Sequence, residues 1–373
     1  MKDVMGVIFT GESDARLREL TMTRAIAALP VAGRYRVIDF LVSSMVNGGI
    51  RNVGVIMQKN YHSLMDHLGS GKEWDLHGKN EGLRVLPPFL TRENVGVYSG
   101  LLEALRSNTN YLMRSKQEYL VLSGSNIIYN CNMDELVRAH IDSGAEITMM
   151  YTRDPKMQRD EYGTYIAVDE NNTVTDMEVE PTHPSLKCSS MDVIIMKRET
   201  LRNLVDKGVA HGLHGMNRDI LMPMIQDGHT RINAFEYKGL CWRIDSVQSF
   251  FRFNMDILDT GIRHQLFSGD LPVYTKVRDE MPCSYGSNVS VVNSLVADGC
   301  VIEGTVENSI LFRGVRIAAD AHVKNCIIMQ DGQVHSGAYV ENCILDKQAI
   351  IKRNARLIGP SAYPIVIAKN VVI

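Results

Sequence analysis

The sequence predicts an α/β domain with a mostly parallel sheet, followed by a left-handed parallel β-helix. Two patterns carry that expectation: short apolar runs alternate with helical stretches up to about residue 260, and a near-six-residue aliphatic period begins at about residue 283. In the first part, MGVIF (with 6–9 at its core), VGVIM (53–57), YLVLSG (119–124) and EITMMY (146–151) read as short buried strands bounded by polar or glycine residues. Between them, Met133 to Ile141 places Met133, Leu136, Val137 and Ile141 on one helical face, with Asn132 available as the cap. Alternating strand and helix implies a parallel sheet, whose ligands sit at the carboxyl ends of the strands.

In the second part, Asn-Ser-Leu-Val begins at 293, Asn-Ser-Ile-Leu at 308, Asn-Cys-Ile-Ile at 325 and Asn-Cys-Ile-Leu at 342, steps of 15, 17 and 17 residues. Small aliphatics recur at roughly six-residue spacing: Val289, Leu295, Val301, Val306, Leu311, Ile317, Val323, Ile328, Val334 and Val340. One flat strand and one corner per period, three to a coil of about 18 residues, is the pattern of a left-handed β-helix. A β-sandwich with chance repeats is the other architecture these residues permit. Cys326 and Cys343 fall at matching coil positions, where stacking is structural. Residues 261–282 carry several Gly and Pro and read as the connection, which gives domains at 1–260 and 283–373.

Composition bounds the function. A chain of 373 residues, 45% apolar, can bury a large core, and a net charge of −3 offers no global attraction to nucleic acid or acidic membranes. The N-terminus lacks the features of a signal peptide, and no run approaches the ~18 apolar residues of a membrane span. Seven cysteines without a C-x-x-C pair fit a reduced, cytoplasmic protein.

Several stretches then carry a specific likeness. LTMTRAIAALPVAGRYRVIDF (20–40), NGGIRNVGVIMQ (47–58), GKEWDL (71–76) followed by VLPP (85–88), DENNTVTDMEVEP (169–181), and Trp242-Arg243 with Asn254-Met255 together resemble the ADP-glucose pyrophosphorylase (glucose-1-phosphate adenylyltransferase) family. The resemblance spans essentially the whole chain, and the β-helix completes it. It implies a Rossmann-like nucleotidyltransferase domain with a mostly parallel mixed sheet. It also implies a reaction that joins ATP and glucose 1-phosphate into ADP-glucose and diphosphate. Charge builds on the phosphates in that reaction, so the site needs cations and Mg²⁺, and Mg²⁺ needs carboxylate ligands.

Position by position, those requirements are not met. The family's glycine-rich nucleotide loop reads FTGESDARL (9–17), which keeps Gly11 and the catalytic arginine, Arg16, but adds Glu12 and Asp14. Ser125, followed by Asn126, stands where the resemblance places the first metal aspartate. After Trp242-Arg243, the second metal aspartate aligns with Ile244, and Asp245 follows as a displaced candidate, a choice the sequence leaves open. Glu180 replaces the sugar-phosphate lysine, and Asp192 replaces a glycine nearby. Ile26 replaces a catalytic-side lysine, while Gly100 matches a nucleotide contact whose neighbours are changed. Arg24, Arg34 and Arg36 border the family's effector site, where forked guanidinium donors suit a phosphorylated sugar; solvated or ion-paired arginines are the equal alternative.

The resemblance therefore implies a non-catalytic, regulatory-type subunit. Such a chain holds no cofactor strongly, leaves Mg²⁺ to the active partner, and assembles with a homologous catalytic subunit as a heterotetramer, without nucleic-acid or membrane partners. The competing readings are an independently active nucleotidyltransferase with a rewired metal site built on Asp245, Asp14 or Asp192, and a β-helix acyltransferase. The N-terminal domain argues against the latter, and His322 and His335 read as solvated corner residues.

Overall fold

A computed structural model describes residues 3–11, 15–79, 81–88, 96–157, 163–267 and 269–373. Glu12 and Asp14 lie outside the described residues.

The predicted strands form at Val4–Phe9, Val53–Ile56, Tyr119–Ser123 and Ile147–Thr152. Val4–Phe9 is the pivot of a nine-stranded sheet and pairs in parallel with Val53–Ile56 on one side and Tyr119–Ser123 on the other. Its neighbours along the chain read as continuous apolar runs because both sheet faces are covered. Alternation divides their side chains: Val4 and Ile8 join one core with Met45, Met133 and Leu136, whereas Met5 and Val7 join another with Leu102, Leu105 and Leu201. The sheet is mixed, because the long strand Cys188–Lys197 runs antiparallel to both Tyr119–Ser123 and Ile147–Thr152.

The helix predicted at 133–141 runs from Met133 to Ser143, and Asn132 Oδ1 accepts the Asp134 N–H at 3.1 Å. Its buried face differs by one residue from the expectation. Ile141 is 51% exposed, and His140 is buried in its place, hydrogen-bonded through Nδ1 to Thr148 Oγ1 at 2.8 Å. A partner hydroxyl makes an imidazole acceptable in the core, which apolar periodicity alone does not register.

From Ser284 the chain winds into a left-handed β-helix of three five-stranded parallel sheets. Val306, Leu311, Ile317, Val323, Ile328, Val334 and Val340 fill its interior. Two predicted positions are off by one: Val301 is 36% exposed and Ile302 points inward, and Leu295 faces the first domain while Val296 packs inside. A slip of one residue in a strand moves the side chain to the opposite face. The repeated asparagines form a ladder along one corner. Asn293 donates to Asn308 at 2.8 Å, Asn308 to Asn325 at 2.7 Å, Asn325 to Asn342 at 3.1 Å, and Asn342 to the Gly359 carbonyl at 2.9 Å. Each has positive φ, between 43° and 53°, which asparagine tolerates better than other residues with a side chain. All seven cysteines are free thiols.

Residues 261–282 are not a loose connection. Thr260–Phe267 is a helix whose Leu266 is buried, and the irregular stretch around Pro272–Tyr274 is fastened to the first domain. Asn47 donates to the Pro272 carbonyl at 2.9 Å, and the Tyr274 N–H reaches Ser43 Oγ at 2.9 Å. The two domains share an apolar seam in which Leu20, Phe40, Phe250 and Phe253 meet Ile310, Phe312, Ile327 and Ile344. No helix among the described residues is long and apolar enough to cross a membrane.

Asn325→Ala removes two ladder bonds and places a Cβ-bearing residue without a polar tip at positive φ. It is expected to cost about 1–3 kcal/mol in urea unfolding, whereas Asn325→Gly, which keeps the backbone relaxed, is expected to cost less.

Candidate functional site

A cleft opens at the carboxyl end of Tyr119–Ser123. The short strand Ile127–Tyr129 pairs antiparallel with Cys241–Arg243, and the Ile244 N–H continues the ladder to the Asn126 carbonyl at 2.7 Å. That pairing sets Asn126 beside Asp245. On the far side, Cys188–Lys197 bulges between Ser190 and Val193, so that Asp192 turns into the cleft with φ 52°. The left-handed conformation explains why a glycine suits this position in the resembled family. A π-helical turn, Asn217–Leu221, presents Asn217. Arg16, Asn126, Thr164, Glu180, Asp192, Asn217, Arg243 and Asp245 line about 870 Å³, continuous through Glu180, Asp192 and Asn217 with a more apolar recess walled by Phe9, Leu122, Ile194 and Met216.

The cleft is internally neutralised. The buried Arg243 guanidinium lies 2.6 Å from Asp192 and donates to the Ser190 carbonyl at 2.8 Å. Arg16 lies 3.7 Å from Asp245, and Arg218 lies 3.5 Å from Glu180. The last pair is more than half exposed, so its energy is small, but it still occupies both charges. At the rim, the Asp219 carboxyl is held below its usual range by the Gly215 and His214 backbone N–H groups. Glu103 is likewise lowered, by Ser99.

The predicted site residues do not all converge. Arg16, Glu180 and Asp245 line the cleft. Ser125 is fully buried behind it, and Gly11 is not among the lining residues. Gly100 stands at the rim, where a Cβ would fall 2.5 Å from the His214 carbonyl oxygen, so only glycine fits. Ile26 and Ile244 are core residues of the seam, 3% and 0% exposed, and neither faces the cleft. Among the described residues, the donors at the matched positions do not fit magnesium. Ser125 offers a neutral hydroxyl, Ile244 a hydrocarbon, and Asp245 a single carboxylate already facing Arg16. Among the described residues, no three His, Cys, Asp or Glu side chains converge to hold a metal.

A second site lies against the seam. Arg34 and Arg36 line about 530 Å³ together with Lys276, Arg278, Arg313 and Lys347, opposed by the single carboxylate Asp66. The cations crowd one another. Arg36 is pushed down to about 10, mainly by burial with help from Arg24 and Arg278, and Lys347 to about 8, mainly by burial with help from Arg36 and Arg24. Arg313 Nε and Nη2 are buried without a hydrogen-bond partner. Arg24 is not part of this lining. It forms a bidentate ion pair with Asp346 of the β-helix, at 2.8 and 2.9 Å, with side chains 3% and 1% exposed. Sequence reasoning missed four of the six cations. Arg313, Gln330 and Lys347 recur at 17-residue spacing, one per coil, and that shared phase is the signal that would have grouped them.

Known families agree with this architecture. The family described as Nucleotidyl transferase matches residues 5–260, and the GlmU-like C-terminal hexapeptide family matches residues 281–361. Fold and cleft thus define a nucleotidyl transferase domain joined to a hexapeptide β-helix. The chain is 35% identical to the glycogen biosynthesis protein GlgD of Bacillus subtilis (strain 168), over 99% of this chain and 96% of that one. It is 35% identical to GlgD of Geobacillus stearothermophilus over 86% of this chain and 82% of that one. It is 32% identical to the glucose-1-phosphate adenylyltransferase of the same organism over 86% and 83%. The chain belongs to the ADP-glucose pyrophosphorylase family of nucleotidyl transferases, with the GlgD type.

Arg24→Met alone strands Asp346 in the seam and is expected to cost about 3–5 kcal/mol in urea unfolding. Arg24→Met with Asp346→Leu is expected to regain most of that loss, because the buried charge is gone.

Proposed function

We propose that this chain serves glycogen synthesis as a regulatory subunit with little or no turnover of its own, modulating an active homologous glucose-1-phosphate adenylyltransferase subunit in a cytoplasmic hetero-oligomer, a tetramer by the family's pattern. One observation carries the reading. The charges of the cleft are paired among themselves, Arg243 with Asp192, Arg16 with Asp245 and Arg218 with Glu180. A transferring triphosphate needs free cations and a metal aimed at the charge that develops on it. In this reading Mg²⁺ acts only in the partner.

Assembly is supported by the open end of the β-helix. Ser284–Tyr285 and Ser290–Val292 each have a strand partner on one side only, Tyr285 and Val292 are 54% and 56% exposed, and residues 283–297 include no charge until Asp298. An edge without charged guards is a template for another chain. The cationic pocket of Arg34, Arg36, Arg313 and Lys347 supports a phosphorylated sugar effector, because a phosphate would answer both the mutual repulsion and the unpartnered guanidinium nitrogens.

The decisive assay measures ADP-glucose formation with Mg²⁺ by the chain alone, by the active homologue, and by the mixture. The chain alone is expected to run at least about a thousandfold below the homologue, and the mixture to differ from the homologue in maximal rate or activator response. Full turnover by the isolated chain, or an unchanged homologue, contradicts the proposal.

Effector binding carries a pH signature. Lys347 titrates near 8 in the folded chain, lowered by burial, Arg36, Arg24 and Lys369 and raised in part by Asp346. Its protonated form therefore costs stability below about 8, and that cost is relieved as pH rises towards the ordinary value of 10.5, where the unfolded chain also gives up its proton. A bound phosphate favours the protonated form. Inorganic phosphate is expected to bind with proton uptake near pH 8 and to weaken above it, read by calorimetry in buffers of different ionisation enthalpy. Lys347→Met is expected to abolish the uptake.

A further inference from the structure

We propose that a groove at the amino ends of the central strands binds a small polyanion of the diphosphate class. The groove lies at the opposite end of the sheet from the cleft and shares no lining residue with the cleft or the seam pocket. The inference does not rest on the regulatory reading.

An excess of reachable positive charge carries it. Asn52, just before Val53–Ile56, Glu81 and Arg84 at the neighbouring edge strand Leu83–Leu86, and the 110–117 segment that leads into Tyr119–Ser123 line about 1780 Å³. Three exposed cations, Arg84, Arg114 and Lys116, stand around this space against one carboxylate, Glu81. Among the described residues none of the three forms an ion pair. Arg84 commits only Nη2, to the Lys79 carbonyl at 3.2 Å. Glu81 is held by the floor instead. It accepts Gln117 Nε2 at 3.2 Å, at the end of a chain in which the Tyr111 hydroxyl donates to Asn52 Oδ1 at 2.9 Å and Asn52 Nδ2 donates to Gln117 Oε1 at 3.0 Å.

The segment that carries Arg114 and Lys116 is fixed in place. From behind, Arg198 Nε donates to the Gln117 carbonyl at 2.9 Å and Nη1 to the Leu112 carbonyl at 2.8 Å. Ser115 Oγ donates to the Tyr111 carbonyl at 2.9 Å and accepts Asn52 Nδ2 at 3.2 Å. The Tyr111 ring lies against Gly54, where a Cβ would fall 2.5 Å from its Cε1. A pinned segment keeps like charges near one another, and an anion between them relieves their repulsion. Two guanidinium forks and an ammonium suit phosphate oxygens. The space is far more than one phosphate fills, and two linked phosphates reach cations on both the edge strand and the 110–117 segment. An acidic peptide is the poorer match, because the floor is amide and hydroxyl and the Tyr111 ring, packed on the sheet, is no free anchor.

The test uses the full chain and inorganic pyrophosphate without divalent metal. Because the seam pocket is itself cationic, calorimetry is run on the chain carrying Arg313→Met and Lys347→Met, and hydrogen exchange of residues 110–118 is followed in the unaltered chain. Pyrophosphate is expected to bind with a dissociation constant below about 1 mM, at least about fivefold more tightly than sulfate, and to slow exchange across 110–118. Arg84→Gln and Arg114→Gln are each expected to weaken it about tenfold, the loss of one charge-assisted contact. Glu81→Gln keeps an oxygen for Gln117 and removes the negative charge, and is expected to tighten binding about threefold. The inference is overturned by unchanged exchange at 110–118, by sulfate binding as tightly as pyrophosphate, by an affinity that Arg84→Gln and Arg114→Gln both leave intact, or by an exchange response that Lys347→Met abolishes.

Discussion

The molecule depends on a buried charged contact set in a largely apolar seam. Arg24, from the first domain, reaches Asp346, at a β-helix corner, through two hydrogen bonds with almost no solvent around either side chain. Two buried charges tolerate this only when the geometry is right, so losing one partner costs far more than replacing both. Around it, phenylalanines and aliphatics from both halves close the seam. The segment containing Arg24 lines both sites: Ala15 and Arg16 border the cleft, and Pro30 through Arg36 contribute to the cationic pocket. Packed between them, Ile26 is held in the shared core, so displacement at either end must move a close-packed stretch.

The two sites have opposite electrostatic character. In the cleft every arginine has a carboxylate opposite it, and two acceptors lack donors. In the seam pocket cations outnumber carboxylates, and buried guanidinium nitrogens lack acceptors. An anion is therefore matched to the pocket and mismatched to the cleft.

Much of the fold was legible along the chain. Strands buried on both faces read as apolar runs, and the coils announced themselves by their asparagines and aliphatics. The errors were single-residue shifts: His140 buried instead of Ile141, Ile302 inward instead of Val301, Val296 instead of Leu295. Each has the same origin. Apolar character permits a side chain to face a core, but a neighbouring hydroxyl or the presence of a second domain decides whether it does. The resemblance pointed to Ser125 and Glu180 by their surroundings, of which only Glu180 lines the cleft, and it left the choice between Ile244 and Asp245 open. The short pairing of Ile127–Tyr129 with Cys241–Arg243 turns Ile244 into the seam and sets Asp245 on the cleft lining.

By itself, the sequence determined the two domains, their order, the family they belong to and the absence of the expected charges at matched positions, because local pattern and spacing encode these directly. Tertiary structure alone decided that Arg24 is a seam contact while Arg34 and Arg36 line a pocket. It also gathered Lys276, Arg278, Arg313 and Lys347 around them and paired the cleft arginines with carboxylates up to 229 positions away, as in Arg16 and Asp245. Electrostatic interactions act through space, and residues far apart in the chain acquire a common field only when folding brings them within a few ångströms.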